Sequence, residues 1–291
     1  MKLINPSAQL LEQGPGLQGI YKQIELAGRT CYKSEDKITE DSAEKFVERM
    51  INSKHYAMLE HGTVYLTVPG ESEPDQIGQC SYIPIEKGHY SMNAYSKRDF
   101  EHFDQKPNEV QSEFCKVIPR TRKHITTNLR VLVENGWLDD LQYVTEPTEF
   151  HEKRYTFRII TSIGITRELI RHRVFSFANE STRYCNYSKD KFGGELTFIK
   201  PYWLQDSDAA ESVTFFTSLE QSERAYNKLT EMGVAAQAAR EVLPLATKSE
   251  IIMTGFKSDW DRFLDIRLHQ STGPVHPDML VIANMIDKQL P

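Results

Sequence analysis

The stretch YTFRII at residues 155–160, followed by ITRELIRHR at residues 165–173, determines the fold class. Tyr155, Phe157 and Ile159 alternate with Thr156, Arg158 and Ile160, and this period of two predicts a half-buried strand. The second stretch predicts a helix from about Ile165 through Arg173. A strand that leads directly into a helix indicates an α+β fold, with helices packed on a mixed or antiparallel sheet.

Segments on either side of this stretch extend the same architecture. TVYLTV at residues 63–68 alternates like a strand and ends at Pro69-Gly70. Helical spacing of apolar residues predicts five further helical regions. They are a helix around Ala43–Ile51, one around Leu219–Met232 that stops near Gly233, one over Val234–Val242, one that starts at Ser258, and a terminal helix that starts at Pro277.

Length and composition indicate a single globular domain over residues 1–291. The more polar, turn-rich segment 71–149 is interpreted as a large insertion within it. A net charge of −6 argues against a general nucleic-acid or membrane-surface binder, which needs a long-range positive field. Neither a signal peptide nor a membrane-spanning run is evident, so we expect a cytoplasmic protein.

The four cysteines are scattered along the chain without any C-x-x-C pair. This spacing favours reduced, unpaired thiols and gives no indication of a metal site. Cys31 and Cys185 are interpreted as packing thiols, because no combination of cation and helix terminus marks either as a thiolate.

Basic residues concentrate around Arg171-His172-Arg173 in this acidic chain. Within the predicted helix, Arg167 and Arg171 lie four residues apart and would share a face. Two interpretations stay open: the arginines pair with Glu168, Glu180 and other carboxylates on a solvated surface, or they bind phosphate groups.

Arg267 poses a similar choice, because it falls in an apolar stripe with Trp260, Phe263 and Leu264. An arginine in that position needs an anionic partner. Two interpretations are open. Arg267 forms a structural salt bridge, or its guanidinium stabilises an anion that develops on a substrate. Arg240, on a helix of small residues, could line the same cavity.

Arg171-His172-Arg173 followed by seven residues and Ser181 resembles the RHR-x7-S signature of the flavin-dependent thymidylate synthases. The segments at residues 27–32, 55–61 and 239–244 resemble three other motifs of that family, and Arg267 resembles its late arginine. The resemblance covers most of residues 20–70 and 150–290. It leaves the predicted insertion uncovered.

The resemblance implies methylation of dUMP to dTMP with FAD as the cofactor, and with NADPH and 5,10-methylenetetrahydrofolate as co-substrates. It implies FAD contacts for Cys31, His55, Glu60, Arg171, His172, Arg173, Arg262 and His276. It implies dUMP contacts for Glu168, Arg171, Asn179, Glu180, Ser181, Thr182, Arg183, Arg240 and Arg267. Arg267 would be the catalytic residue, favouring ionisation at N3 of the uracil ring. A homotetramer with active sites between subunits is implied as well.

Two alternatives remain. The chain departs from the family pattern at Ala178-Asn179-Glu180, so a flavin-dependent dUMP hydroxymethylase of the same fold is one. A non-catalytic nucleotide- or nucleic-acid-binding protein that uses the arginine cluster is the other, although the acidic pI of about 5.9 disfavours it.

Overall fold

The computed structural model describes residues 1–68, 97–100, 123–185, 187 and 195–291. Most of the predicted insertion, at residues 71–96 and 101–122, lies outside these residues. Residues 123–149 are described and contain regular structure. The single-domain interpretation and the insertion both stay predictions.

The described elements mix strands and helices throughout the chain. The strands are β1 (Lys2–Ile4), β2 (Ser7–Leu11), β3 (Thr63–Val68), β4 (Lys97–Phe100), β5 (Lys123–Asn128), β6 (Arg154–Ser162), β7 (Ser176–Asn179), β8 (Thr197–Ile199) and β9 (Lys248–Phe256). The α-helices are α1 (Gly16–Tyr32), α2 (Ser42–Asn52), α3 (Leu129–Asn135), α4 (Ile163–Leu169), α5 (Ala209–Glu231), α6 (Ala236–Ala239), α7 (Lys257–Arg267) and α8 (Pro277–Asp287). This content confirms the α+β class.

The chain divides into two compact units. The first unit comprises Met1–Glu12, Leu26–Ile38 and Tyr155–Pro291, and the second comprises Gln13–Glu25 and Thr39–Arg154. Helix α1 contributes residues to both units.

A four-stranded sheet with the order β2-β6-β9-β7 forms the centre of the first unit. β2 is antiparallel to β6, and β7 is antiparallel to β9. Phe157 and Ile159 of β6 and Ile251 of β9 bury their side chains in a core with Trp260 and Phe263 of α7 and with apolar residues of α8. Helices thus cover one face of this sheet, as the strand-then-helix pattern predicts.

A smaller core in the first unit lies around the long helix α5. Leu219 and Tyr226 of this helix pack with Cys185, Leu196 and Phe198. β1 and β8 form a parallel pair beside them. The capping residue Asp208 accepts a hydrogen bond from the Glu211 N–H at 2.8 Å, and Gly233 follows the helix with a φ of +87°. The predicted stop near Gly233 is therefore confirmed.

The second unit contains an antiparallel sheet with the order β3-β5-β4. Val64, Leu66 and Val68 of β3 are buried, as the alternation predicts, and the strand has the predicted bounds. Helix α2 buries Phe46, Val47 and other residues of its predicted apolar face. These two elements are predicted correctly because each shows a clear period of its own.

The prediction of a helix through Arg173 is wrong, because α4 ends at Leu169. The chain then tightens into a turn, with the Arg171 N–H bonded to the Glu168 carbonyl at 3.3 Å and the His172 N–H to the Leu169 carbonyl at 3.0 Å. Arg171 lies after the helix. It therefore does not share a helix face with Arg167.

Two other boundaries and one whole strand differ from the predictions. Helix α7 begins at Lys257, where Asp259 accepts from the Phe256 N–H at 3.3 Å, so Ser258 is not the start. The helix predicted over Val234–Val242 is α6 followed by a single 3-10 turn. Strand β9 was not predicted, because KSEIIMTGF is buried almost throughout and lacks the alternation of a half-exposed strand.

Candidate functional site

The signature arginines of the first unit lie in a turn between α4 and β7. Leu169 and Phe175 bury their side chains on either side of the turn and fix it to the core. Gly255 of β9 makes room for this anchor, because a Cβ atom there would lie 2.3 Å from the Phe175 ring. Arg171 and Arg173, between the anchors, are exposed. The turn therefore presents two guanidinium groups to solvent from a fixed base.

Exposed arginines of this segment have no acidic partner in the part of the chain that the structure describes. This holds for Arg167, Arg171, Arg173 and Arg183. The guanidinium of Arg183 lies over the Tyr184 ring, 5.3 Å from its centroid. Glu168 and Glu180, the nearest carboxylates in sequence, bind other cations. The first interpretation of the cluster, as arginines paired with these two glutamates, is therefore wrong.

Arg267, the last residue of α7, makes two contacts within the site. Its Nη1 donates to Glu168 Oε2 at 3.1 Å, and its Nε donates to His172 Nε2 at 2.9 Å. The side chain of Arg267 is 16% exposed, so it is not fully enclosed. A salt bridge is present, as one interpretation predicts. The two hydrogen bonds also hold the guanidinium in a fixed orientation.

His172 is a neutral acceptor in this arrangement. Burial, together with the charge of Arg267, lowers the pKa of His172 to about 4. Its ring packs edge-on against Phe263, with the centroids 4.9 Å apart. Because Nε2 accepts from Arg267 at neutral pH, the imidazole orients the guanidinium without adding a charge.

The segment after β7 brings a second group of predicted residues together. The Ser181 N–H donates to the Cys31 carbonyl at 2.9 Å, which ties this segment to the end of α1. Arg240 Nη1 donates to Thr182 Oγ1 at 3.0 Å. Arg240 and Thr182 thus bring a cation and a hydroxyl group together, with Ser181 next to Thr182 in sequence, and such a donor set suits a phosphate group.

Asn179 and Glu180, adjacent in sequence, point to opposite faces of the sheet. The Asn179 side chain accepts from Ser249 Oγ at 2.9 Å. Glu180 is buried, and its carboxylate accepts from Lys248 Nζ at 2.6 Å and from the Tyr187 hydroxyl at 2.9 Å. Both carboxylate oxygens of Glu180 are therefore already engaged.

Glu250 is the centre of a buried ion cluster that sequence reasoning missed. Its carboxylate pairs with Lys33 and Arg158, and Lys248 Nζ lies 3.4 Å away. Burial raises the pKa of Glu250, but the charges and hydrogen bonds of these cations outweigh burial and leave the pKa lowered. The Lys-x-Glu spacing in β9 puts Lys248 and Glu250 on one face. This spacing predicts a shared face only if residues 248–256 are first identified as a strand.

A cavity of 440 Å³ adjoins this cluster within the first unit. Lys33, Glu180, Tyr187, Thr247 and Lys248 contribute to its walls. Most of these side chains already hydrogen bond to one another, so the cluster is mainly a structural feature of this face.

The other predicted residues of the first unit are more scattered. Cys31 is half-buried, and burial, followed by the charge of Glu180, raises the pKa of its thiol to about 11. Burial raises the pKa of the Cys185 thiol to about 12. Neither forms a thiolate at neutral pH. Arg262 is exposed and pairs with Asp265 at 2.6 Å, and the His276 ring caps α8 by accepting from the Asp278 N–H at 3.2 Å.

His55 and Glu60 belong to the second unit. His55 is exposed and precedes a 3-10 turn at Tyr56–His61. Glu60 is buried, its carboxylate accepts from Arg130, and its backbone carbonyl accepts from Arg154 Nη1 at 3.1 Å. A flavin contact from Glu60 would therefore share that carboxylate with Arg130.

The described residues contain neither a membrane-spanning helix nor a cluster of metal ligands. No described helix has an apolar run with the length and hydropathy that crossing a membrane requires. No group of His, Cys, Asp or Glu side chains in the same residues converges as metal ligands would.

Comparison with known proteins agrees with the signature. Residues 94–289 match the model of the family described as "Thymidylate synthase complementing protein". The chain is 32% identical to the flavin-dependent thymidylate synthase of Corynebacterium efficiens over 217 residues, 69% of this chain and 80% of that protein. It is 30% identical to the probable flavin-dependent thymidylate synthase of Paramecium bursaria Chlorella virus 1 over 132 residues. That match spans 43% of this chain and 61% of the viral protein.

Among solved structures, a UMP/dUMP methylase from Streptomyces cacaoi, bound with 5-Br dUMP, superposes with a TM-score of 0.43 at 16% identity. The superposition covers 99% of this chain and 91% of that one. The overlap is too loose to place any residue of the site. The family model, in contrast, matches about two thirds of the chain and contains the whole RHR-x7-S segment. The chain therefore belongs to the thymidylate synthase complementing protein family, the flavin-dependent thymidylate synthases.

Proposed function

We propose that this protein methylates dUMP to dTMP as a flavin-dependent thymidylate synthase, with NADPH and 5,10-methylenetetrahydrofolate as co-substrates. The observation that carries the proposal is the set of exposed signature arginines that have no acidic partner among the described residues. Guanidinium groups held in this way are suited to anionic ligands with several phosphate oxygens. Many ligands carry such phosphate oxygens. Because the chain belongs to this family, we take the ligands to be the flavin cofactor and the nucleotide substrate.

The residues present fit FAD by the chemistry of their donors. Arg171 and Arg173 are exposed cations on a fixed turn and would hold the diphosphate, with His172 beside them. His55, Glu60, Cys31, Arg262 and His276 are the other residues assigned to the flavin. When bound, the flavin supplies the electron and one-carbon transfer chemistry that no side chain of the protein can supply.

The dUMP phosphate is assigned to Ser181, Thr182, Arg183 and Arg240. The hydrogen bond from Arg240 to the Thr182 hydroxyl supports this assignment, because it brings the cation to the segment that carries Ser181 and Arg183. Asn179 and Glu168 are assigned to the nucleotide as well. Glu180 is assigned a positioning role, because Lys248 and Tyr187 already bind its carboxylate. It would hold the start of the phosphate-binding segment in place.

Arg267 is assigned the catalytic role. Its guanidinium is held by His172 and Glu168, and its side chain is partly exposed. A cation fixed before the reaction stabilises a developing anion without reorganisation during the reaction. For the uracil ring, that anion would form when N3 loses its proton, which raises the electron density at C5. Transfer of the one-carbon unit to C5 would then be easier.

The assembly is proposed as a homotetramer with active sites between subunits, in the cytoplasm. The dTMP product is favoured over 5-hydroxymethyl-dUMP, because the curated relatives compared above are named thymidylate synthases. Mass spectrometry of the nucleotide product distinguishes these two, since a methyl and a hydroxymethyl group differ by one oxygen atom.

The first experiment is an absorption spectrum of the purified protein, followed by anaerobic addition of NADPH with and without dUMP. We expect a flavin band that bleaches, and bleaches faster with dUMP. The Arg173→Gln variant should lose bound FAD. Arg224→Gln, which removes a 79% exposed arginine of α5, provides a control with the same change in net charge. A colourless wild-type protein that cannot be loaded with FAD would refute the proposal.

A further inference from the structure

The guanidinium of Arg267 already has an anionic partner within its own chain. Glu168 Oε2 lies 3.1 Å from Arg267 Nη1, although the two residues are 99 positions apart. The Glu168 side chain is 28% exposed, and the Arg267 side chain is partly open too. This ion pair therefore lies at the edge of the site, where a bound anion could compete with it.

Glu168 is the counter-ion of Arg267 among the described residues. His172, the other partner of Arg267, accepts through an unprotonated nitrogen and carries no charge at neutral pH. The acidic residues of α7 that lie near Arg267 in sequence bind other cations, since Asp265 pairs with Arg262 and Asp261 pairs with Lys257. The positive charge of Arg267 is thus balanced by a single carboxylate.

We propose that Glu168 is an internal counter-ion that an anionic ligand must displace from Arg267, and that it thereby sets the affinity of the site. The inference rests on the proposed function, because the ligand is taken to be a nucleotide whose ring becomes anionic next to Arg267. It reverses the simpler assignment of Glu168 as a residue that attracts the nucleotide. A carboxylate beside an incoming anion weakens its binding by repulsion.

Space for the displaced carboxylate is present. Glu168 lines a cavity of 290 Å³ together with Ser162, Leu245, His276 and others in the first unit. A rotation of the Glu168 side chain into this cavity would free Nη1 of Arg267, while the bond from Nε to His172 keeps the guanidinium oriented. The proposed exchange is a rotation of this one side chain.

The Glu168→Gln substitution removes the charge of this side chain but keeps its shape. A glutamine side chain still accepts from Arg267 Nη1 through its amide oxygen, but it does not repel an anion. Glu168→Gln should therefore bind dUMP more tightly, by about two- to fivefold, the range expected for one partly exposed ion pair. The KM for dUMP should fall by a similar factor, with kcat changed less.

The test is isothermal titration calorimetry of FAD-loaded protein with dUMP. The wild type, Glu168→Gln and Glu231→Gln are compared, because Glu231 is an exposed glutamate of α5 whose substitution changes the net charge equally. We expect tighter binding for Glu168→Gln alone, and a gain that shrinks at high salt as the charges are screened. Glu168→Ala should also bind more tightly, but with a lower kcat, because Arg267 loses an orienting partner.

Failure of the inference can be distinguished from failure of the proposed function. Equal or weaker dUMP binding by both Glu168→Gln and Glu168→Ala, next to measurable binding by the wild type, would overturn the counter-ion role. If the wild type with bound FAD gives no heat with dUMP at all, the proposed nucleotide site itself is wrong. If Glu231→Gln binds dUMP more tightly as well, the change in affinity comes from the net charge of the protein and not from Glu168. That result would also overturn the inference.

Discussion

Glu250 and Glu168 are both paired with arginine in the first unit, but the two carboxylates differ in how far they are enclosed. Glu250 is 3% exposed and lies among Lys33, Arg158 and Lys248. Glu168 is more exposed and has one cationic partner, Arg267. A buried carboxylate with several cations is costly to disturb, whereas a partly exposed ion pair contributes little. Glu250 therefore stabilises the fold, and Glu168 is free to serve the site.

The largest effect is expected at the enclosed cluster. Glu250→Ala leaves Lys33, Lys248 and Arg158 without their shared carboxylate, and should lower the free energy of unfolding by about 3–5 kcal/mol. Urea unfolding followed by circular dichroism measures the change. Glu231→Ala, at an exposed position, should stay within about 0.5 kcal/mol of the wild type. A loss below about 1 kcal/mol at position 250 would remove the distinction between the two carboxylates.

The second effect falls on turnover. Arg267→Ala removes the cation assigned to the developing anion, and should lower kcat/KM for dTMP formation by about 10²- to 10³-fold. The free energy of unfolding should change by less than about 1 kcal/mol, because its ion pair with Glu168 is partly exposed. Steady-state assays and urea unfolding on one preparation measure both quantities. Full dTMP synthesis by Arg267→Ala with bound FAD would contradict the assigned role.

The third effect is a pH dependence of stability that comes from His172. Its folded pKa of about 4 lies below the ordinary value of 6.5, because of burial and the charge of Arg267. The unfolded chain therefore takes up a proton first as the pH falls, and stability decreases between pH 6.5 and 4. After allowance for its partial exposure, the loss should be on the order of 2 kcal/mol.

The matched variant for this titration is His172→Gln, which should flatten the stability profile in that range. The lowered pKa of Glu250 acts in a separate window, because its contribution is lost only as the pH falls below the ordinary glutamate value of 4.5. Urea unfolding at a series of pH values resolves the two. Identical profiles for the wild type and His172→Gln would show that His172 is not held neutral by the fold.

The smallest change in the free energy of unfolding is expected at Glu168, the proposed counter-ion of Arg267. Glu168→Gln should change the free energy of unfolding by less than about 1 kcal/mol, because it keeps a hydrogen-bond acceptor for Arg267 at a partly exposed position. Thermal and urea unfolding measure it. A loss as large as that of Glu250→Ala would mean that Glu168 is a structural residue after all.

Local periodicity explains which elements could be predicted. β3 and α2 each carry a complete pattern of buried and exposed residues, and both were located correctly. β9 was missed because both of its faces are buried, so its sequence does not alternate. The end of α4 was misplaced because the residues after Leu169 keep a helical composition. The chain leaves the helix there as Phe175 packs into the core.

The sequence by itself determined the family and predicted the residue types of the site, because the RHR-x7-S spacing and the repeated arginines are local features of the chain. The partners of Glu168 and Glu180, in contrast, depended on the tertiary structure alone. Glu168 meets Arg267, and Glu180 meets Lys248, across long separations in sequence. Glu180 is predicted to contact the nucleotide, and its carboxylate lies on the sheet face of Lys248 and Glu250. Ion pairing depends on which side chains lie within a few ångströms of each other, and only the packing of strands and helices sets those distances.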